Sequence, residues 1–349
     1  MIKYIGSKRL LIPALMSVVK QFQDVEVVLD LFSGTSRVGH ALKGAGYRVW
    51  SNDHNRYAAT LARCYVQADR ERWLKEAEAL LEEASQLPPA PGWFTETFCR
   101  QSRFFQPKNG ARVDAIREFI KDQGLGEELE AILLVSLMEA ADRVDSTTGV
   151  QMAYLKKWAP RSHKDLALRV PDLLPASPYG QSRAFELDAL EAVTQLDADL
   201  VYMDPPYNQH KYLGNYHVWE SLVRWDKPEV YGVACKRVDC KERKSDFNSK
   251  RRMRTAMEEL IGRVRAPHMV VSFSDEGFLD RDELVELLSA KGEVCVFEQP
   301  YSRYVGARIG IHDRDGHKVG SVSHVKNTEF LFVVSQNMPK NIEQALEAF

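Results

Sequence analysis

The stretch from Val25 to Asp53 constrains the fold more than any other part of the chain. Val25 to Phe32 (VEVVLDLF) is short, apolar and rich in β-branched residues, the pattern of a strand covered on both faces. Ser33-Gly34-Thr35-Ser36 then makes a tight turn, and Val38 to Ala45 reads as a helix stopped by Gly46. Tyr47 to Asn52 reads as a second strand, with Asp53 at its tip. This is a βαβ unit, and it commits the chain to an α/β fold with a mostly parallel sheet.

The rest of the sheet arrives late. Helical patterns dominate from Asn55 to near Leu87, Pro88-Pro89-Ala90-Pro91-Gly92 breaks them, and an aromatic and basic stretch runs from Trp93 to Lys108. Two further helices are expected near Val113 to Lys121 and Glu127 to Val144. Strand patterns return at Ala184 to Leu187, Leu200 to Met203, Met269 to Ser274, Glu293 to Glu298 and Glu329 to Val334. A long polar stretch joins the last two, which predicts an antiparallel end strand. The expected division is therefore residues 1–54 and 182–349 for the sheet domain, with residues 55–181 as a helical insertion.

A chain of 349 residues with 44% hydrophobic and 28% charged residues has the composition of a soluble globular protein. Its net charge of -2 advertises no global basic field, so any nucleic-acid contact must come from local patches. The cysteines Cys64, Cys99, Cys235, Cys240 and Cys295 form no disulfide framework and no paired zinc spacing, which points to free thiols in a reducing compartment. No signal peptide or membrane-length apolar run is evident, so a cytoplasmic protein is expected.

The chemistry concentrates at Asp204-Pro205-Pro206-Tyr207, directly after the apolar run ending at Met203. Open α/β sheets place their chemistry at the carboxyl ends of strands. The Asp204 carboxylate accepts hydrogen bonds, Pro205 offers a carbonyl without a backbone donor, and Tyr207 offers a stacking face. Together they suit the exocyclic amino group of a planar base. The plainer alternative is a strand-ending turn of ordinary turn residues.

A second cluster suits a nucleoside cofactor. Gly34, between strand and helix, lets the backbone approach a ligand, and a carboxylate placed like Asp53 accepts ribose hydroxyls in nucleotide-binding folds. Ser36 stands where a dinucleotide fingerprint has its second glycine, which argues against a pyrophosphate and much less against S-adenosylmethionine. Asp188 suits a cofactor adenine amino group or, equally, a helix N-cap before Ala189-Leu190. Near the N-terminus, Tyr4 offers a ring to a flat ligand and Lys8 a cation to a carboxylate, although on local grounds alone a solvated, frayed start is the simpler reading.

The order of these segments, KYIGSK, then DLFSGTSRVG, a helical insertion and DPPY followed by Asn208, resembles the DNA adenine methyltransferases of the D12 class, the alpha group that includes Dam-type enzymes. Asn215-Tyr216-His217 and the turn Val271 to Gly277 extend the resemblance over nearly the whole chain. The resemblance implies a class I methyltransferase sheet binding S-adenosylmethionine. It implies contact of Tyr4 and Lys8 with the cofactor, with Asp30, Phe32 and Gly34 along its methionine and ribose; Ser36 is a further cofactor-binding candidate, at a position where glycine is commoner in the family. It places Asp53 on the ribose hydroxyls and Asp188 near the adenine, and makes the insertion a target recognition domain. Asp204, Pro205, Pro206 and Tyr207 become the catalytic turn for methyl transfer to a flipped adenine in duplex DNA.

Basic residues then gain a role. Lys236, Arg237, Lys241, Arg243, Lys244, Lys250, Arg251, Arg252 and Arg254 follow the catalytic turn and are expected to reach phosphates flanking the target base. Arg100 and Arg103, with Phe104, Phe105, Lys108 and Arg112, belong either to base readout or to the insertion's own core. Tyr301, Arg303, Tyr304 and Arg308 line a groove or cap the sheet. Two rival readings stand beside this one: an RNA methyltransferase acting on a base amino group, and a silent DNA-binding subunit. A cognate restriction endonuclease or defence subunits are possible partners, and oligomeric state is open.

Overall fold

The computed structural model describes residues 1–302, 311–312, 318–320 and 326–346. Its centre is a seven-stranded sheet. In chain order the strands are β1 (Val27–Asp30), β2 (Arg48–Asn52), β3 (Arg183–Phe185), β4 (Leu200–Met203), β5 (His268–Ser274), β6 (Glu293–Ser302) and β7 (Lys326–Ser335). They lie in the order β3-β2-β1-β4-β5-β7-β6. Neighbours from β3 to β5 pair in parallel. The last strand, β7, runs antiparallel to both β5 and β6 and is inserted between them, so the edge strand β6 points the same way as the rest.

Successive residues feed opposite faces, as strand geometry requires. Val28, Val49, Leu200, Val270, Leu331 and Val333 enter one buried cluster, while Leu29, Val201, Met203, Met269, Phe330 and Phe332 enter another. Both faces are dry, which is why the strands read as apolar runs rather than as alternations. Helices Met253–Arg263 and Arg281–Ser289 cover the second face through Met257, Leu260, Leu284 and Leu288. Helices Ile12–Val19 and Arg37–Gly44 cover the first, through Leu15, Val18, Val38 and Leu42.

The helices between β2 and β3 join that first core. Arg56–Ala62, Arg70–Gln86, Pro107–Asp122 and Glu127–Arg143 contribute Tyr57, Leu61, Leu81, Ile116, Ile132, Leu133 and Leu137 to the cluster that holds Val28 and Val49. Glu127–Arg143 is buried on most of its surface, so its apolar run reads as a core helix. Among the described residues no helix is long and apolar enough to cross a membrane.

Candidate active site

The crossover helices Arg37–Gly44 and Met253–Arg263 leave β1 and β4 for opposite faces of the sheet. Neighbouring strands whose connections diverge leave a crevice beyond their carboxyl ends. Asp30 pairs in register with Tyr202, so Asp204 stands just past the end of β4 and faces this crevice. The resulting cleft of about 900 Å³, solvent at its mouth included, is lined by Tyr4, Lys8, Asp30, Phe32, Gly34, Asp53, Asp204, Pro206 and Tyr212, among others. A second hollow of about 1220 Å³ shares Phe32, His54, Pro206, Lys244 and Ser245 with it and adds Asp188, Leu190 and Phe247. The two adjoin as one trough, bordered by Asp204 and Pro206 of the first cluster and by Gly34, Asp53 and Asp188 of the second, while Pro205 and Tyr207 stand outside its lining.

Asp204 is held by a cation. The Lys8 ammonium lies 3.2 Å from Asp204 Oδ1 and 2.9 Å from Glu329 Oε2. Burial alone would lower the Lys8 ammonium, but Asp204 and Glu329 outweigh it and hold it well above its usual range. Burial pushes the Asp204 carboxyl up to about 6, with Lys8 opposing and Glu329 adding to the rise. At neutral pH the site therefore holds a carboxylate beside a full positive charge. Tyr207 packs against Phe273 at 5.3 Å between ring centroids, and the Lys8 ammonium sits 5.6 Å from its ring centre. Pro205 is buried. Asp30, at the floor of the cleft, accepts the Gly39 amide at 3.0 Å, and burial pushes its carboxyl up to about 8.

The glycine turn is built for close approach. Gly34 has a left-handed φ of +51°, donates its amide to Asp53 Oδ2 at 3.1 Å, and would bring a Cβ within 3.3 Å of the Tyr4 ring. Asp53 Oδ1 also accepts the Asn55 amide at 2.9 Å, so one carboxylate ties the β1 turn to the end of β2. Gly34→Ala puts a side chain where backbone and space both disfavour it, at about 1–2 kcal/mol. The expected result is a roughly tenfold weaker cofactor affinity by calorimetry with little loss of helix content by circular dichroism.

Several assigned residues land differently from the sequence reading. Tyr4 lines the cleft, but its ring stacks nearly parallel on Tyr212 at 5.3 Å and Tyr216 at 4.5 Å rather than standing open to a ligand. Ser36 is fully buried, outside the cleft lining, with a left-handed φ of 58° and no hydrogen-bond partner for Oγ among the described residues. Its part is to shape the turn, and the left-handed backbone explains why glycine suits the position better. Asp188 caps helix Ala189–Gln195 by accepting the Leu190 amide, and it also borders the second hollow beside Phe32.

The basic residues also divide. Lys244, Lys250 and Arg251 are exposed and make no ion pair among the described residues. Arg252 pairs with Asp246, and Arg254 with Glu283 and Glu286. Lys236 is half-buried with its ammonium 3.6 Å from Met152 Sδ. Arg237 departs from the expectation of a phosphate contact. It is 4% exposed and grips Asp226 at 2.7 Å and Asp239 at 3.1 Å, because a buried guanidinium needs carboxylates to hold its charge. In the insertion, Phe104 and Phe105 are core. Arg100 is exposed and paired with Glu96, and Arg103 stacks on Trp158 at 4.7 Å. The Tyr301 side chain and Arg303, Tyr304 and Arg308 lie outside the described residues.

Sequence reasoning missed Glu329, Tyr212 and Glu220. Glu220 is fully buried, accepts the Tyr57 amide at 2.9 Å and pairs with Arg243, which also donates to the His54 carbonyl at 2.7 Å. These contacts tie the segment after Asp204-Pro205-Pro206-Tyr207 to the loop after β2. For Glu329 a signal existed: a lone acid heading the apolar run Phe330 to Val334.

A family profile described as the D12 class N6 adenine-specific DNA methyltransferase matches residues 4–277. The chain belongs to this family. The match opens on Tyr4 and closes on Gly277, where an added Cβ would fall 2.2 Å from the Phe273 ring that supports Tyr207. Among individual proteins, the chain is 32% identical over 326 residues to the modification methylase StsI of Streptococcus sanguinis, covering 88% of this chain and 49% of that one. It is 30% identical over 323 residues to the type II methyltransferase M.FokI of Planomicrobium okeanokoites, covering 86% and 49%. It is 29% identical over 304 residues to the type II methyltransferase M.NlaIII of Neisseria lactamica, covering 85% and 88%. The chain thus spans about half the length of the StsI and FokI relatives and most of the NlaIII relative.

Proposed function

We propose that this D12-family chain transfers a methyl group from S-adenosylmethionine to the exocyclic amino nitrogen of an adenine in duplex DNA. The observation that carries this reading is Asp204: an ionised acceptor, braced by Lys8, opening into the same cleft as the Gly34 turn. The residues along the trough suit the cofactor. Asp53 and Asp188 are acceptors for hydroxyl and amino groups, Phe32 and Phe247 offer apolar walls, and the bare Gly34 leaves room for close approach. Bound there, S-adenosylmethionine supplies an electrophilic sulfonium methyl and leaves as a neutral thioether.

The protein's part is positioning and electrostatics. Asp204 and the Pro205 carbonyl accept the amino hydrogens, which keeps the nitrogen lone pair from delocalising into the ring. Asp204 is also the nearest base for the proton the nitrogen sheds. An adenine paired in a duplex cannot reach so recessed a carboxylate, so the base leaves the stack at a cost of a few kcal/mol. Exposed Lys244, Lys250 and Arg251 are the cations placed to hold flanking phosphates. Residues 55–181, with Arg100 on their surface, supply target recognition in this reading.

The test is to incubate purified protein with S-adenosylmethionine and DNA free of adenine methylation, then quantify methylated nucleosides by mass spectrometry. N6-methyladenine in DNA supports the proposal. Methylated bases only in a parallel RNA sample transfer it to the RNA rival, and none in either overturns it. Because Asp204 must be ionised to accept, kcat/KM is expected to fall as pH drops through about 6, one decade per pH unit below it. A flat profile between pH 5 and 8 would exclude Asp204 as the titrating acceptor.

A further inference from the structure

We propose that Glu329 is a positioning residue for methyl transfer, dividing the charge of Lys8 so that Lys8 braces Asp204 without quenching it. The inference rests on the adenine-methylation reading and adds to it a residue beyond the stretch the family profile matches, residues 4–277. Glu329 lies near the start of β7, paired in register with Ser274 on β5 and Gln299 on β6. It is 4% exposed, and Lys8 is 7% exposed. A carboxylate buried in the middle of a sheet is expensive unless a cation meets it, and the Lys8 ammonium does so at 2.9 Å, closer than its 3.2 Å to Asp204.

The charge balance shows what this arrangement does. Lys8 alone beside Asp204 would make a neutral pair, pulling electron density from the oxygens that must accept the amino hydrogens. With Glu329 on the other side of the ammonium, the trio carries one net negative charge, and Asp204 remains the stronger acceptor. The β7 backbone also fixes Lys8 in one place, because Glu329 belongs to a strand paired on both edges. Titratable groups facing the trio are Asp30 from β1, Tyr202 and Tyr207 on either side of Asp204, Tyr212, and Glu276, which acts on Tyr207. Each of these tyrosines has its hydroxyl pushed above its ordinary range by burial and stays neutral, so the balance is set by the carboxylates and Lys8.

The experiment compares wild type, Glu329→Gln and Glu329→Asp. Initial rates of tritiated methyl transfer to unmethylated DNA are measured from pH 5 to 9, beside cofactor affinity by calorimetry and thermal melting. Glu329→Gln is expected to keep cofactor affinity, to lose about tenfold or more in kcat, and to move the acidic limb of the profile to lower pH. Glu329→Asp restores part of the rate. A variant with normal kcat and an unmoved limb overturns the proposal. So does one that loses cofactor affinity and melting temperature while the limb stays put, since that is a structural role. A second readout needs no DNA: the carbon-13 carboxyl resonance of Asp204, assigned by its disappearance in Asp204→Asn, titrates lower in Glu329→Gln than in wild type. An unshifted titration overturns the proposal. A shifted one, in a protein that methylates no DNA, upholds the charge balance and sinks the functional reading instead.

Discussion

Asp204→Ala is expected to abolish the proposed methyl transfer, by at least about a thousandfold in kcat, while cofactor affinity changes little. The side chain stands at the carboxyl end of β4 as an ionised acceptor, and alanine offers nothing to the amino hydrogens. The Pro205 carbonyl remains, so some binding of the base survives, but the nitrogen lone pair is no longer drawn out of the ring system. The loss belongs in the chemical step. Single-turnover methylation with saturating cofactor and DNA reads it directly, and calorimetric titration of the cofactor provides the control. Turnover near that of wild type would remove Asp204 from the mechanism.

Lys8→Met has the second largest expected effect, and here stability and activity fall together. The substitution keeps length and removes charge, leaving the Asp204 and Glu329 carboxylates buried without their cation. Removing one partner of a buried ion pair destabilises by about 3 kcal/mol or more. The sign with pH follows from the directions of the shifts. In the wild type Lys8 is raised well above its usual range, so its contribution is complete at neutral pH and is lost only under strongly alkaline conditions. Asp204 is raised to about 6, so its burial costs stability above that pH and the cost is relieved as pH falls through it. Without Lys8 the Asp204 carboxyl rises further, because the charge that opposes its burial is gone. The deficit of Lys8→Met against wild type is therefore largest at pH 8 and shrinks toward pH 5. Melting temperatures measured at both values test this, and a deficit independent of pH would mean that the loss is one of packing.

Much of the site is legible in the sequence, for a simple reason. Gly34, Asp53 and Asp204 occupy strand ends, and strand ends are visible in sequence because apolar runs stop there. The helices between β2 and β3 are legible too, since Pro107–Asp122 and Glu127–Arg143 carry long helical patterns. What stays hidden depends on contacts between distant segments. Lys8 and Glu329 are 321 residues apart, and no local pattern joins them. Arg237 resembles its basic neighbours in sequence, and only the fold sets Asp226 and Asp239 around it. The Tyr4 ring reads as free from its neighbours in the chain, yet it is taken up by Tyr212 and Tyr216.

By itself, then, the sequence determined the α/β class, the strand-end placement of Asp204-Pro205-Pro206-Tyr207 and the family, because strand periods, turn residues and motif order are properties of short segments. Only the tertiary structure decided where β7 enters the sheet, which of the basic residues are free for a polyanion, and what holds Asp204. Those are questions of charge compensation across the fold. A buried ion is stabilised by whichever opposite charge the packing brings within about 3–4 Å, and that neighbour is set by topology rather than by position along the chain.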